Sequence, residues 1–328
     1  MKNNFNGPIF TFAADADVIF LLHEAQKAIE TNDYSFFIES GMNQENIEAF
    51  EDLWQEVFYG HIKLVIVPSV LAELGYSDAA KIQYSEQTLL RKDAVINHEL
   101  AEFVRSFCYC ANELPNHNAF TQVVGYLAQR YCLEAGMDYF ERWDGEEQII
   151  LPCKDAYNLA QATVLGLPFL TNNAKDFFVT KINGRANYDK KLKEIMKINY
   201  ECGYRYETGN FRMKTPRPVS VTTFKRNALK YYVNENMEND YYRQYEPIRS
   251  SEVYNGDNGR EQFVRVDELC NNVENFNEIM DQSVPQTVFN LYDDNGEVYA
   301  TYYLTQRKSY NKPHEFVNTY IKQDDKQK

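Results

Sequence analysis

The chain has 328 residues, of which 44% are hydrophobic and 25% charged, the composition of a globular protein with room for one large core or two modest ones. No apolar run approaches the roughly 20 residues that cross a bilayer, and MKNNFNGPIF lacks a charged-then-apolar leader, so the expected location is cytoplasmic, with no membrane contact. Thirty-four Lys/Arg against 48 Asp/Glu leave a net charge of −14, which by itself disfavours nucleic acid.

Taken in order, Ile9–Leu22 (IFTFAADADVIFLL) reads as a buried strand running into a helix, with Asp15 and Asp17 inside the apolar run. A buried carboxylate is normally paired, capping a helix or bound to a metal, because leaving it bare costs several kcal/mol. Residues 24–60 read as helical with acidic faces. Lys63–Pro68 is a short β-branched strand of the kind a covered parallel sheet contains. A helix follows from Ser69, carrying Glu73. Residues 77–147 read as a run of helices. Ile149–Pro152 is the next strand, and Asp155 opens a helix whose apolar positions recur at helical spacing. Gly166 and Pro168 stop it, and Phe169–Thr171 is a further strand. Asn172 and Asn173 can cap another helix start, with Asp176 near its first turn.

Strands separated by helices predict a doubly wound α/β core with helices on both faces. Asp15, Glu73, Asp155 and Asp176 each fall at the carboxyl end of a predicted strand, the edge where open α/β sheets bind ligands. Converging carboxylates repel one another unless a cation neutralises them. An all-oxygen set favours Mg²⁺ or Mn²⁺. The six cysteines and five histidines show no zinc spacing.

The charge is unevenly spread. Between Lys175 and Lys230 there are fourteen Lys/Arg and five Asp/Glu, a local +9 that leaves −23 on the remainder. Lys175, Lys190, Lys191, Lys193, Lys197, Arg212, Lys214 and Arg217 are the candidate backbone-binding residues of this block. Tyr200, Tyr204, Tyr206 and Phe211 are interleaved with basic residues, a combination that suits single-stranded RNA.

Four pieces, FAADADVIFLL, VIVPSVLAEL, LPCKDAYNLAQATVLGLPFL and TNNAKDF, resemble the PIN-domain nucleases. The resemblance covers about the first two thirds of the chain. It implies a PIN-like parallel-sheet core over residues 1–215, with a helical insert at about 77–147. A small accessory α+β domain would follow over 216–328. It also implies a metal-dependent endoribonuclease, toxin-like, that cuts RNA by two-metal water activation at Asp15, Glu73, Asp155 and Asp176. Thr171, Asn173 and Asp17 would support that site, and an antitoxin-like protein or a second copy would be the partner. Asn173 stands where many members carry an aspartate. The corresponding alternative is a catalytically weak or inactive module that binds RNA or protein. Asp15-Ala16-Asp17 also resembles the start of the haloacid-dehalogenase phosphatases, although the late acidic pair of that family is absent. Beyond Thr215-Pro216-Arg217-Pro218, a short strand and helix are expected over 219–233. A hairpin is expected over 287–305, turning at Asp294-Asn295-Gly296.

Overall fold

A computed structural model describes residues 10–74, 98–114, 117–144, 147–173, 181–182, 185–186, 188–206, 218–221, 263–282, 288–292, 298–308 and 316–322. Strand β1 (Phe10–Ala14) enters helix α1 (Ala16–Thr31). Helices α2 (Ser35–Glu39) and α3 (Gln44–Phe58) follow, then strand β2 (Ile62–Val65) and helix α4 (Pro68–Glu73). Local chemistry sets these boundaries. Asp15 caps α1 by accepting the Ala16 N–H at 2.8 Å. Asn43 caps α3 through the Asn46 N–H at 2.9 Å. Pro68 occupies the first turn of α4, where a missing N–H does no harm.

Beyond them lie α5 (His98–Phe107), β3 (Cys108–Ala111) and α6 (His117–Leu133). Strands β4 (Tyr139–Asp144) and β5 (Glu147–Pro152) precede α7 (Lys154–Val164) and β6 (Phe169–Thr171). The short pair β7 (Lys181–Ile182) and β8 (Arg185–Ala186) leads to α8 (Tyr188–Tyr206). The remaining elements are β9 (Pro218–Ser220), β10 (Phe263–Arg265), α9 (Val266–Cys270) and α10 (Val273–Asp281). The last three strands are β11 (Val288–Tyr292), β12 (Val298–Lys308) and β13 (Phe316–Lys322).

The central sheet has six strands in the order β10-β3-β2-β1-β6-β9, parallel except for β10. With helices on both faces it is a mixed α/β fold. Phe12, Ala13 and Ala14 of β1 and Leu64 and Val65 of β2 are buried, the near-continuous apolar pattern of covered parallel strands. Tyr131, Tyr157 and Phe169 fill the space around them. Two sequence expectations are corrected. Residues 77–147 are not helical throughout, since β3 and β4 lie among them. Ile149–Pro152 is not a strand of the parallel sheet: it belongs to β5, which pairs antiparallel with β4 and β12 in a second sheet. Its apolar run reads the same either way, and pairing across more than a hundred residues is invisible to a local pattern. The expected hairpin is present as β11 and β12, antiparallel. Its turn, and the expected helix after Ser220, lie outside the described residues.

Candidate functional site at the carboxyl edge of the central sheet

Asp15 sits at the end of β1 and Thr171 at the end of the adjacent β6. Two backbone bonds hold these ends together, Ala13 N–H to the Pro168 carbonyl at 2.8 Å and Asp15 N–H to the Leu170 carbonyl at 2.9 Å. The Thr171 hydroxyl donates to Asp15 Oδ2 at 3.0 Å and accepts the Asn173 N–H at 3.0 Å. Asp15 is buried, with Oδ1 committed to its cap. Burial, then the charges of Glu73 and Asp17, push its carboxyl up to about 7, against the opposing pull of its hydrogen bonds.

Glu73 arrives from the last turn of α4 and meets Lys154 from the first turn of α7 in an ion pair. Burial works against the Lys154 charge, but Glu73, Asp155 and Asp15 outweigh it and raise the ammonium above its ordinary range. The lysine therefore lies in the field of three of the predicted acids. Asp155, half-buried on α7, accepts a bond from the Asn173 amide at 3.3 Å. Asp17 is exposed in the first turn of α1. Behind the edge, Ser69 of α4 donates its hydroxyl to Asn158 at 2.5 Å and its N–H to Gln161 at 2.9 Å. Gln161 in turn donates to the Gln282 carbonyl at 3.0 Å. These pairs lock α4, α7 and the end of α10 together and set the angle at which Glu73 and Lys154 meet.

The carboxyl edge of the central sheet, with α4 and α7 packed on it, thus brings together Asp15, Glu73, Asp155, Thr171 and Asn173. Asp176, Lys175, Arg212, Lys214 and Arg217 lie outside the described residues. Of the basic set on α8, Lys190 is in the helix, Lys191 is half-buried, and Lys193 and Lys197 are exposed. Lys197 pairs with Glu194 at 2.9 Å. Lys154 is the group whose role sequence reasoning missed. Its signal was spacing: Lys154 and Asn158 on one helix, Ser69 and Glu73 on the other, each pair four residues apart and so on one face.

No family model matches the chain, and no curated protein or solved structure matches it. Among the described residues no group of three or more His, Cys, Asp or Glu side chains is placed to hold a metal ion. These findings overturn the PIN-domain resemblance and what it implied: the Mg²⁺ or Mn²⁺ site, two-metal RNA hydrolysis, the endoribonuclease and the toxin-like role. The physical reason is visible in the bonds. Both oxygens of Asp15 are taken by protein donors, one of Asp155 by Asn173, and one of Glu73 by Lys154. The cation that the converging carboxylates require is a side chain of the chain itself. The same bonds argue against Asp15 as a phosphatase nucleophile.

Proposed function

We propose that the protein is a non-catalytic binding module for single-stranded RNA. Its contact helix would be α8. The observation that carries this reading is the outer face of that helix, where Lys193 is exposed and Tyr200, two turns on, is 66% exposed. Ile195, Ile198 and Cys202 bury the opposite face. Tyr131 donates to Asn199, and Arg130 of α6 bonds Glu201 at 2.5 Å, so α8 is seated from beneath while Lys193, Lys197 and Tyr200 stay exposed. The sequence around it carries the local +9 between Lys175 and Lys230. Lysines neutralise phosphates, and an exposed aromatic face stacks a base without regard to its identity. No described helix is long and apolar enough to cross a membrane.

Fluorescence anisotropy of labelled single-stranded RNA, with DNA and duplex controls, tests the reading. Wild type should bind RNA equally with and without EDTA and leave it uncut. Tyr200→Ala should weaken binding by about 1–3 kcal/mol. Lys193→Glu should lower the slope of log affinity against log salt by about 0.7. Failure to retain any single strand at low salt would remove the proposal.

A further inference from the structure

We propose that the solvent face of α3 is a docking surface for a Lys/Arg-rich segment of a partner protein. Residues 24–60 hold nine Asp/Glu and one lysine, a local −8. On α3 itself Glu45, Glu48 and Gln55 are exposed, and Asp52 lies half-buried between them. This acidic face ends in two exposed aromatics, Phe58 at 59% and Tyr59 at 51%. Solvent exposure of two adjacent large rings is unfavourable in a free monomer, and single scattered exposures are the ordinary case.

The rings are held rather than loose. Phe58 packs edge-on to Tyr59 with centroids 5.6 Å apart, against Trp54 at 5.8 Å and near Phe107 at 6.5 Å. Trp54 is itself buried, so the pair stands on a fixed base. Rigid aromatic anchors lose little conformational freedom on binding and dominate interface energetics. The helix end adds charge of the same sign. The last turn of α3 carries no basic residue; the N–H groups of Tyr59, Gly60 and His61 bond its Gln55, Val57 and Glu56 carbonyls, and the negative end of its dipole faces the rings. His61 lies against Tyr59 with centroids 6.0 Å apart, so a guanidinium or ammonium group would sit over the exposed side of Phe58 or Tyr59, beside that dipole. Flanking bases about two and three turns back would face Asp52 and Glu48. The charge of this face repels a phosphate backbone, so it is separate from the α8 surface and calls for a cationic polypeptide.

The probe is a labelled amphipathic peptide of lysine, arginine and leucine, with a counterpart in which glutamate replaces every base. The full chain should bind the basic peptide and not the acidic one. Phe58→Ser with Tyr59→Ser should weaken binding about tenfold or more, and Glu48→Lys should weaken it severalfold. Glu274→Lys makes the same charge change on α10, where the carboxylate is also exposed, and should leave binding unchanged. Thermal melts establish that each variant is folded. Equal losses from Glu274→Lys and Glu48→Lys would mean general attraction to an acidic chain and would overturn the proposal. So would full binding by the aromatic double variant, or a salt-sensitive dimer in sedimentation that the double variant abolishes, since the occupant would then be a second copy.

Discussion

Two regions of this protein are rich in carboxylates, and they differ in what answers the charge. At the edge of the central sheet, Asp15, Glu73 and Asp155 are buried or half-buried, and Thr171, Lys154 and Asn173 reply to them from within the chain. Along α3 the carboxylates are spread over a solvent face that ends in exposed rings. The first arrangement is answered from within the chain and stabilises the junction of strand ends and helices, with Glu73 Oε2 left buried without a hydrogen-bond partner among the described residues. The second faces solvent: Glu48, Glu51 and Glu56 bond Gln44, Tyr34 and His61, and α3 itself carries no lysine or arginine to answer its charge. A carboxylate cluster in a sequence therefore carries little functional meaning until its counter-charge is located.

Breaking the sheet-edge region should have the largest effect. Lys154→Met leaves Glu73 without its cation, and removing one partner of a fully buried pair costs about 3–5 kcal/mol. Lys154 is 41% exposed as a side chain, so solvent replaces part of the loss and the expected cost in urea denaturation is about 2 kcal/mol. Adding Glu73→Leu should return most of it. If the double variant is as unstable as the single, the pair is not the counter-charge of this edge.

The second effect is a pH dependence. Asp15 titrates near 7 when folded and near 3.8 when unfolded. Between those values the folded state holds the extra proton, so this group favours folding most at low pH. Its contribution declines as pH rises above 3.8 and is lost through about 7. Denaturation midpoints should accordingly fall from pH 5 to pH 8 in wild type, and Asp15→Asn should flatten the profile. Thr171→Val removes a bond that holds the carboxyl down and should move the transition to higher pH. A profile identical in wild type and Asp15→Asn would place the titration elsewhere.

On the solvent face of α3 the same kind of change should barely register in stability. Glu48→Gln is expected to shift unfolding by less than about 0.5 kcal/mol, because the side chain is exposed and its bond to Gln44 is a surface one at 3.2 Å. Its effect should appear in binding of the cationic peptide. A loss of stability comparable to that of Lys154→Met would erase the distinction between the two regions.

Much of the core was legible because it rests on local patterns. β1 running into α1, the strand before Pro68, the helix from Lys154 and the strand at Phe169 all follow from apolar runs punctuated by Asp, Pro and Gly. Asp15 and Glu73 share an edge because the parallel β1 and β2 end on the same side, whereas Asp155 reaches it on α7, which follows β5 of the second sheet. Less visible were β3, four residues of Cys-Tyr-Cys-Ala directly after a helix, and β4, whose Tyr-Phe-Glu-Arg-Trp-Asp gains its strand state from pairing with β5.

The sequence alone indicated the α/β character and the strand-to-helix turns that carry Asp15 and Glu73, because side-chain periodicity and helix-start chemistry act over a few residues; the Asn43 and Cys153 caps were not read from it. Only the tertiary structure decided that Ile149–Pro152 joins a second sheet and that Lys154 supplies the positive charge among those acids. The ammonium meets Glu73 across 81 residues of chain. Such a contact depends on the relative placement of two helices, which no local pattern records.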